Sequence, residues 1–293
     1  MGRELYENFG LARELFDEAR EAVGDDLPSL CFQGPQEQLN LTANTQPAIL
    51  LHSVVAYRLL EREGGRPRLA AGHSLGEYSA LVAAGALDLF EALALVRKRG
   101  QFMQEAVAAG RGAMAALLGL DREAVEEACR RGQKVGVVQP ANLNGPGQIV
   151  ISGEKEAVEE AVTHARELGA KKAVFLPVSA PFHCPLMGPA EERLAVELDR
   201  APFRDLRFPV VTNVEARPVC TADEARESLK RQVSAPVRWE ESMQLLLREG
   251  IEVVVELGPG QVLSGLMKRI GRKVMALHVE DCRSLEEARE ALA

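Results

Sequence analysis

Short apolar segments alternate with longer amphipathic ones along most of this chain, and that alternation limits the fold more than any other feature. The periodicity predicts strands over 68–71, 207–212, 251–257 and 274–279, separated by helical stretches. Such an order implies an α/β architecture with a mainly parallel sheet flanked by helices. Helices are expected over 3–22, 45–63, 75–84, 88–109, 185–200, 221–233, 239–249 and 261–272. Thr45 reads as a cap with Pro47 in the first turn, and Thr221 with Glu224 as a capping box. Ser284 with Glu287 is expected to cap a last helix, and a loop containing Pro28, Gly34 and Pro35 to separate the first two.

The middle of the chain has a different rhythm. Strands are expected over 113–118, 135–138, 148–152 and 172–178, and helices over 121–131 and 154–168. Residues 142–147, Asn-Leu-Asn-Gly-Pro-Gly, read as the loop joining the second and third strands. This β-α-β-β-α-β order is ferredoxin-like. Residues 112–180 are therefore assigned to a small inserted subdomain, and 1–111 with 181–293 to a large one.

Composition removes several function classes. No apolar run approaches the ~18 residues of a membrane span. Charges at Arg3, Glu4 and Glu7 argue against a secretory signal, and Tyr6 stands where a myristoylation signal needs Ser or Thr. Five cysteines without a CxxC pair suit neither a disulfide framework nor a zinc ribbon, and point to a reducing cytoplasm. A net charge of −8, 4% aromatic residues and a single tryptophan disfavour a nucleic-acid platform. No histidine or acid pair has metal-ligand spacing.

Gly72-His-Ser-Leu-Gly76 carries the sharpest chemical signal. A GxSxG turn between strand and helix presents its serine at a helix N-terminus, as in an α/β-hydrolase-like large subdomain. Ser74 is then a candidate nucleophile, and the Leu75 N–H a candidate oxyanion donor. The competing reading is an ordinary Gly/Ser turn. A serine nucleophile needs a base. His183, aimed from a loop between Pro181 and Pro185, is the best candidate, against a turn histidine without a role. His278, in an apolar strand near the C-terminus, stays as the histidine that a hydrolase would use. His52, His73 and His164 read as a packed residue, a side chain turned away from its neighbour, and a solvated one. Cys184 is taken as structural, because nothing near it in sequence lowers a thiol pKa.

Arg99 lies on the apolar face that Leu95, Val96, Phe102 and Met103 define in its helix. A guanidinium against the core must find an anion. An internal salt bridge is one solution, and a substrate bearing a free carboxylate is the other. Asn142 and Asn144 either contact a ligand or brace their own loop. Gly258-Pro-Gly260 reads as a structural turn rather than a phosphate cradle, having no P-loop lysine.

Six blocks together resemble the malonyl-CoA:acyl carrier protein transacylases of type II fatty acid synthesis. They are Asn44-Thr-Gln-Pro-Ala48, 71–80 around Ser74, 99–105 from Arg99, 142–148 from Asn142, Pro181-Phe-His-Cys184 and Glu256-Leu-Gly-Pro-Gly260. The resemblance implies that Ser74 becomes malonylated, that His183 is its base and that Arg99 binds the malonyl carboxylate. It implies that the backbone carbonyl of Gln232 orients the histidine, and that Phe182 opposes a methyl on the malonyl carbon. It also implies a ping-pong reaction between malonyl-CoA and acyl carrier protein, with coenzyme A thioester as substrate and no bound cofactor. Docking of an acidic carrier would need a basic patch, for which Lys171, Lys172, Lys268 and Arg269 are candidates. A monomer is expected, without nucleic-acid or membrane partners. The family begins with a strand ending in Gly-Gln-Gly-Ser-Gln, whose first glutamine supplies a second oxyanion N–H. The sequence opens on the helix that follows; a misplaced or trimmed start of an ordinary enzyme is the favoured expectation, and impaired turnover of the chain as written is the other, since such a donor is worth ~10²–10³ in rate. A serine esterase or thioesterase using Ser74 and His278, a non-catalytic carrier or CoA-ester binder, and a polyketide loading enzyme are the alternatives.

Overall fold

The computed structural model describes residues 1–23, 26–62, 64–178 and 180–292. Helices α1 (Arg3–Asn8) and α2 (Gly10–Ala22) replace the single opening helix that the periodicity predicts. Phe9 between them is extended, with φ −126° and ψ 124°. That break lets Tyr6 pack 6.0 Å from the Phe16 ring and 5.1 Å from Phe32. The expected loop is instead α3 (Leu27–Gln33) and α4 (Gln36–Leu39). Asp26 caps α3 by accepting the Ser29 N–H at 3.1 Å, and Pro28 suits a first turn. Its proline and glycine thus mark helix ends.

Helix α5 (Thr42–Arg62) starts before Thr45, so Pro47 lies inside it rather than in its first turn. Its expected end at Glu63 falls outside the described residues. Leu50, Leu51, Val54, Val55 and Leu59 are all buried, as befits a helix at the centre of a core. Strand β1 (Ala70–Ala71) leads through the Gly72–Ser74 turn into α6 (Leu75–Ala83), followed by α7 (Leu89–Glu105). Asp88 caps α7, accepting the Phe90 N–H at 2.8 Å. Helix α7 lies against the start of α5 at Gly100, where a Cβ would sit 2.6 Å from the Thr42 carbonyl oxygen.

The middle of the chain holds β2 (Gly112–Leu118), α8 (Arg122–Gly132), β3 (Val138–Gly145), β4 (Gln148–Glu154), α9 (Lys155–Glu167) and β5 (Lys172–Phe175). The strands form a sheet in the order β3-β4-β2-β5, with every neighbouring pair antiparallel. It has its own core, which includes Leu117, Val125, Ile151, Val158 and Val162. Strand β3 corrects the sequence reading, which ended it at 138 and made 142–147 a loop. Register shifts between Pro140 and Asn142, and between Leu143 and Gly145, let residues that usually break strands remain within one.

A 3₁₀ turn (Pro185–Met187) runs into α10 (Gly188–Arg200). Then come β6 (Val210–Val211), β7 (Pro218–Val219), α11 (Ala222–Gln232), α12 (Trp239–Arg248), β8 (Val253–Leu257), α13 (Val262–Ile270), β9 (Met275–Val279) and α14 (Cys282–Leu292). Strands β1 and β6 pair in parallel, as do β8 and β9, while β7 is antiparallel to β6. Strand β6 is shorter than the predicted 207–212, where Pro209 has no N–H to give a ladder. Thr221 caps α11 as expected, the Glu224 N–H donating to Thr221 Oγ1 at 3.4 Å, while the Glu224 carboxylate accepts from the Thr221 hydroxyl at 3.0 Å and the Cys220 N–H at 3.5 Å. The last cap sits one turn earlier than predicted: Asp281 accepts the Ser284 N–H at 2.8 Å, and Ser284 Oγ accepts the Asp281 N–H at 3.0 Å. Glu287 pairs with Arg283 instead.

Backbone hydrogen bonds join the antiparallel sheet to the rest through β3. Leu143 N–H donates to the Val237 carbonyl at 2.9 Å, and Val237 N–H to the Ala141 carbonyl at 2.8 Å. Strand β3 is thereby bonded to the segment between α11 and α12. No helix among the described residues is long and apolar enough to cross a membrane.

Candidate active site

Ser74 stands where β1 turns into α6, with φ 51° and ψ −106°. A non-glycine residue there is strained, and strain of this kind persists only where its surroundings over-determine it. Asn213 does much of that work. Its Oδ1 accepts the Ser74 N–H at 2.7 Å and its Nδ2 donates to the Gly72 carbonyl at 2.6 Å. Gly72 must be glycine, because a Cβ would fall 1.9 Å from the Gly76 backbone. The Leu75 N–H belongs to the first turn of α6, whose donors a helix cannot satisfy internally.

His183 also takes a positive φ, 58°, and is 3% exposed. Its Nε2 lies 2.8 Å from Ser74 Oγ and its Nδ1 lies 2.9 Å from the Gln232 carbonyl oxygen. A carbonyl can only accept, so Nδ1 carries the proton and Nε2 is free to take one from the serine. Gln139 Nε2 donates to the His183 carbonyl at 3.1 Å, holding the loop from the side of β3. Burial, and next the charge of Arg99, push the imidazole pKa down to about 3. The ring is thus neutral near pH 7.

Arg99 is 1% exposed. It donates from Nη1 to Gln46 Oε1 at 2.6 Å, and from Nη2 to Gln232 Oε1 at 3.0 Å and Ser74 Oγ at 3.1 Å. Its Cζ lies 5.4 Å from the Tyr78 ring centroid. Among the described residues no carboxylate forms a salt bridge with it, and its Nε has no hydrogen-bond partner. The internal ion pair that the sequence left open is therefore not how this charge is met. A buried cation held only by amide and hydroxyl oxygens beside a serine–histidine pair can receive a carboxylate carried by a substrate.

The remaining candidates divide. Phe182 packs against Met114, Ala141 and Val150 beside His183. Asn142 lies in β3 rather than in a loop, at the bridge to Val237, and is 7% exposed. Asn144 Oδ1 meets His73 Nε2 at 2.8 Å, which fixes His73 away from the serine. His278 pairs with Gln261 Nε2 at 2.9 Å, and His183 takes the serine. The sulfur of Cys184 is buried and donates to the Pro181 carbonyl, and burial raises its pKa. The Gly258–Gly260 turn is occupied by protein carboxylates: Gly260 N–H donates to Glu280, and the N–H groups of Leu263 and Ser264 to Glu256.

Sequence reasoning missed Gln46, Glu77 and Asn213. Gln46 and Glu77 lie within quoted blocks, yet one buried polar side chain in an apolar helix carries no chemical signature of its own. Asn213 sits in a short irregular segment and offered no signal.

Comparison with known proteins places these residues in context. A model of the acyl transferase domain matches residues 1–289. The malonyl CoA-acyl carrier protein transacylase of Bacillus subtilis strain 168 is 48% identical over 293 residues, covering 100% of this chain and 92% of that protein. Its counterpart in Escherichia coli K12 is 48% identical over 268 residues, 91% of this chain and 87% of that protein. Among solved structures, a malonyl-transacylase in complex with the acyl-carrier protein of a type II polyketide synthase superposes with a TM-score of 0.97, at 46% identity, 99% coverage of this chain and 94% of that one. An acyl carrier protein S-malonyltransferase from Vibrio cholerae gives 0.96 at 45% identity, covering 98% and 94%.

Proposed function

Because the chain belongs to the acyl transferase domain family, we propose that it moves a malonyl group from malonyl-CoA to the phosphopantetheine thiol of an acyl carrier protein. The single observation that carries this reading is Arg99: a buried guanidinium with no salt bridge to a carboxylate among the described residues, 3.1 Å from Ser74 Oγ.

Ser74 Oγ attacks the thioester carbonyl while His183 Nε2 takes the hydroxyl proton, and the Gln232 carbonyl steadies the imidazolium through Nδ1–H. The Leu75 N–H donates to the developing oxyanion. Collapse breaks the carbon–sulfur bond, and the histidine returns its proton to the departing thiolate, leaving malonyl-serine and free coenzyme A. The carrier's thiol then attacks the ester by the same steps in reverse. Arg99 seats the malonyl carboxylate, which also cancels one of the charges that hold His183 at low basicity. A malonyl substrate thus improves its own base, and an acetyl substrate does not.

The reaction needs no resident cofactor, and the protein works in the cytoplasm as a monomer. Lys171, Lys172, Lys268 and Arg269 form the carrier-docking patch. All are exposed and flank the β3–β4 turn: Arg269 Nη1 donates to Gln148 Oε1 at 2.7 Å, and the Lys171 stem lies against Gly119. An acidic carrier meeting this patch is steered by charge.

The test is intact mass after incubation with malonyl-CoA. A malonyl adduct on the wild type, absent from Ser74→Ala and weakened in Arg99→Ala, is the expected result. A folded wild type that takes no adduct would refute the activity. The hydrolase alternative predicts the reverse pattern, with turnover abolished by His278→Ala and unaffected by Arg99→Ala.

A further inference from the structure

Behind the serine, the histidine and the arginine lies one buried acid that none of the steps above uses. Glu77, on the first turn of α6, is 0% exposed. Its Oε2 accepts the Gln232 Nε2–H at 2.7 Å and the Asn213 backbone N–H at 3.0 Å, and its Oε1 lies 3.4 Å from Ser228 Oγ. Gln232 in turn donates from Nε2 to the Ser74 carbonyl at 3.0 Å and accepts at Oε1 from Arg99 Nη2 at 3.0 Å.

An amide side chain can be placed either way round in its site, and its partners decide which. If Gln232 were reversed, its NH₂ would face the Arg99 guanidinium, donor against donor. The Glu77 carboxylate and the Ser74 carbonyl on the other side forbid that arrangement, because both only accept and so demand the NH₂, the carboxylate at the shorter distance and with a full charge. We propose that Glu77 is the positioning residue that locks the Gln232 amide with its oxygen toward Arg99, and thereby sets the preference for acyl groups bearing a carboxylate. Through Asn213 the same carboxylate supports the backbone that holds Ser74. The inference rests on the transfer reaction proposed above.

The lock depends on ionisation, since a protonated acid can donate. Glu77 faces Arg99 across Gln232 from α7, Ser228 and Gln232 from α11, Glu215 from the segment after β6, and Tyr78 beside it on α6. Burial raises its pKa to about 7, and Glu215 pushes the same way, against the donors from Gln232, Asn213 and Ser228. Above that pH the carboxylate is the acceptor the lock requires. His183 titrates far lower, so the histidine cannot mimic a transition near neutrality.

The experiment follows acylation of Ser74 by malonyl-CoA and by acetyl-CoA, by mass, in wild type, Glu77→Gln and Ser228→Ala from pH 6 to 9. In the wild type, kcat/KM for malonyl-CoA should fall as pH drops through about 7. Glu77→Gln should lose at least tenfold more in kcat/KM for malonyl-CoA than for acetyl-CoA, and show no such limb. Ser228→Ala, lacking one donor to the carboxylate, should shift the limb to higher pH. Equal loss of both substrates would indicate a merely structural role and overturn the proposal, as would an unchanged limb in Glu77→Gln, or in Ser228→Ala should Glu77→Gln fail to fold. A wild type without any malonyl adduct would overturn the transfer reaction and this inference together; an adduct with unaltered Glu77→Gln would overturn the inference alone.

Discussion

Gly100→Ala separates two physical effects of opposite sign. Glycine inside a helix costs about 0.5–1 kcal/mol relative to alanine, so propensity alone predicts a more stable protein. The contact between α5 and α7 predicts the reverse. A Cβ at 100 would lie 2.6 Å from the Thr42 oxygen, 2.7 Å from Ala43 Cα and 2.8 Å from Ala43 N. These are backbone atoms and cannot rotate away, so the helices must part by roughly 0.7 Å to restore ordinary contact, an overpacking that costs about 2–3 kcal/mol. The net is a loss of about 1–2.5 kcal/mol, or a Tm lower by about 2–4 °C. Arg99 is the adjacent residue on α7, and its 2.6 Å bond to Gln46 spans the same interface. A displacement approaching 1 Å in a positioning group can cost about 10²-fold in rate. Calorimetry with single-turnover malonylation measures both effects. A Gly100→Ala protein of raised Tm and wild-type rate would refute the argument.

Three further outcomes are expected. His183 has a pKa of about 3 when folded against the usual 6.5, so below pH 6.5 the unfolded chain takes a proton that the native site refuses. Stability should therefore fall with acidification, the wild type losing about 2 kcal/mol relative to His183→Gln between pH 7 and 5 by denaturant titration. Phe182→Ser should raise the rate with methylmalonyl-CoA relative to malonyl-CoA by about tenfold or more, the value of one methyl group in a tight pocket; an unchanged ratio in competition assays would contradict the role given to that ring. Asn213→Ala should orphan the Ser74 N–H and the Gly72 carbonyl, at about 1–3 kcal/mol each, and chemical denaturation would show whether it does.

The groups proposed to meet substrate stood out in the sequence because each broke a local rule. Ser74 sat in a GxSxG turn between a strand and a helix, His183 between two prolines, and Arg99 on the apolar face of its helix. The groups that hold them were not readable. Glu77 and Gln46 are polar residues whose partners lie far along the chain, and Asn213 acts from a segment with no periodicity. The fold divides in the same way. Helices with side-chain caps at Asp88, Asp121 and Thr221 appear near their expected places. Strand β3 was misjudged because Pro140, Asn142 and Gly145 signal loops locally, while pairing with β4 and Val237 overrides that preference.

The bonds of β3 to Val237, and of Gln139 to the His183 carbonyl, bear on how this family can be recombined. An exchange of the antiparallel sheet between relatives looks simple in the linear sequence, with one cut on each side. The strand nonetheless shares its ladder with a segment five residues beyond Gln232, whose carbonyl aims the histidine. A chimera cut only at the ends of that sheet joins a foreign strand to a native Val237, and any misfit in that register is passed directly to the His183 imidazole. Junctions that carry 233–238 along with the sheet keep both partners of the ladder from one parent.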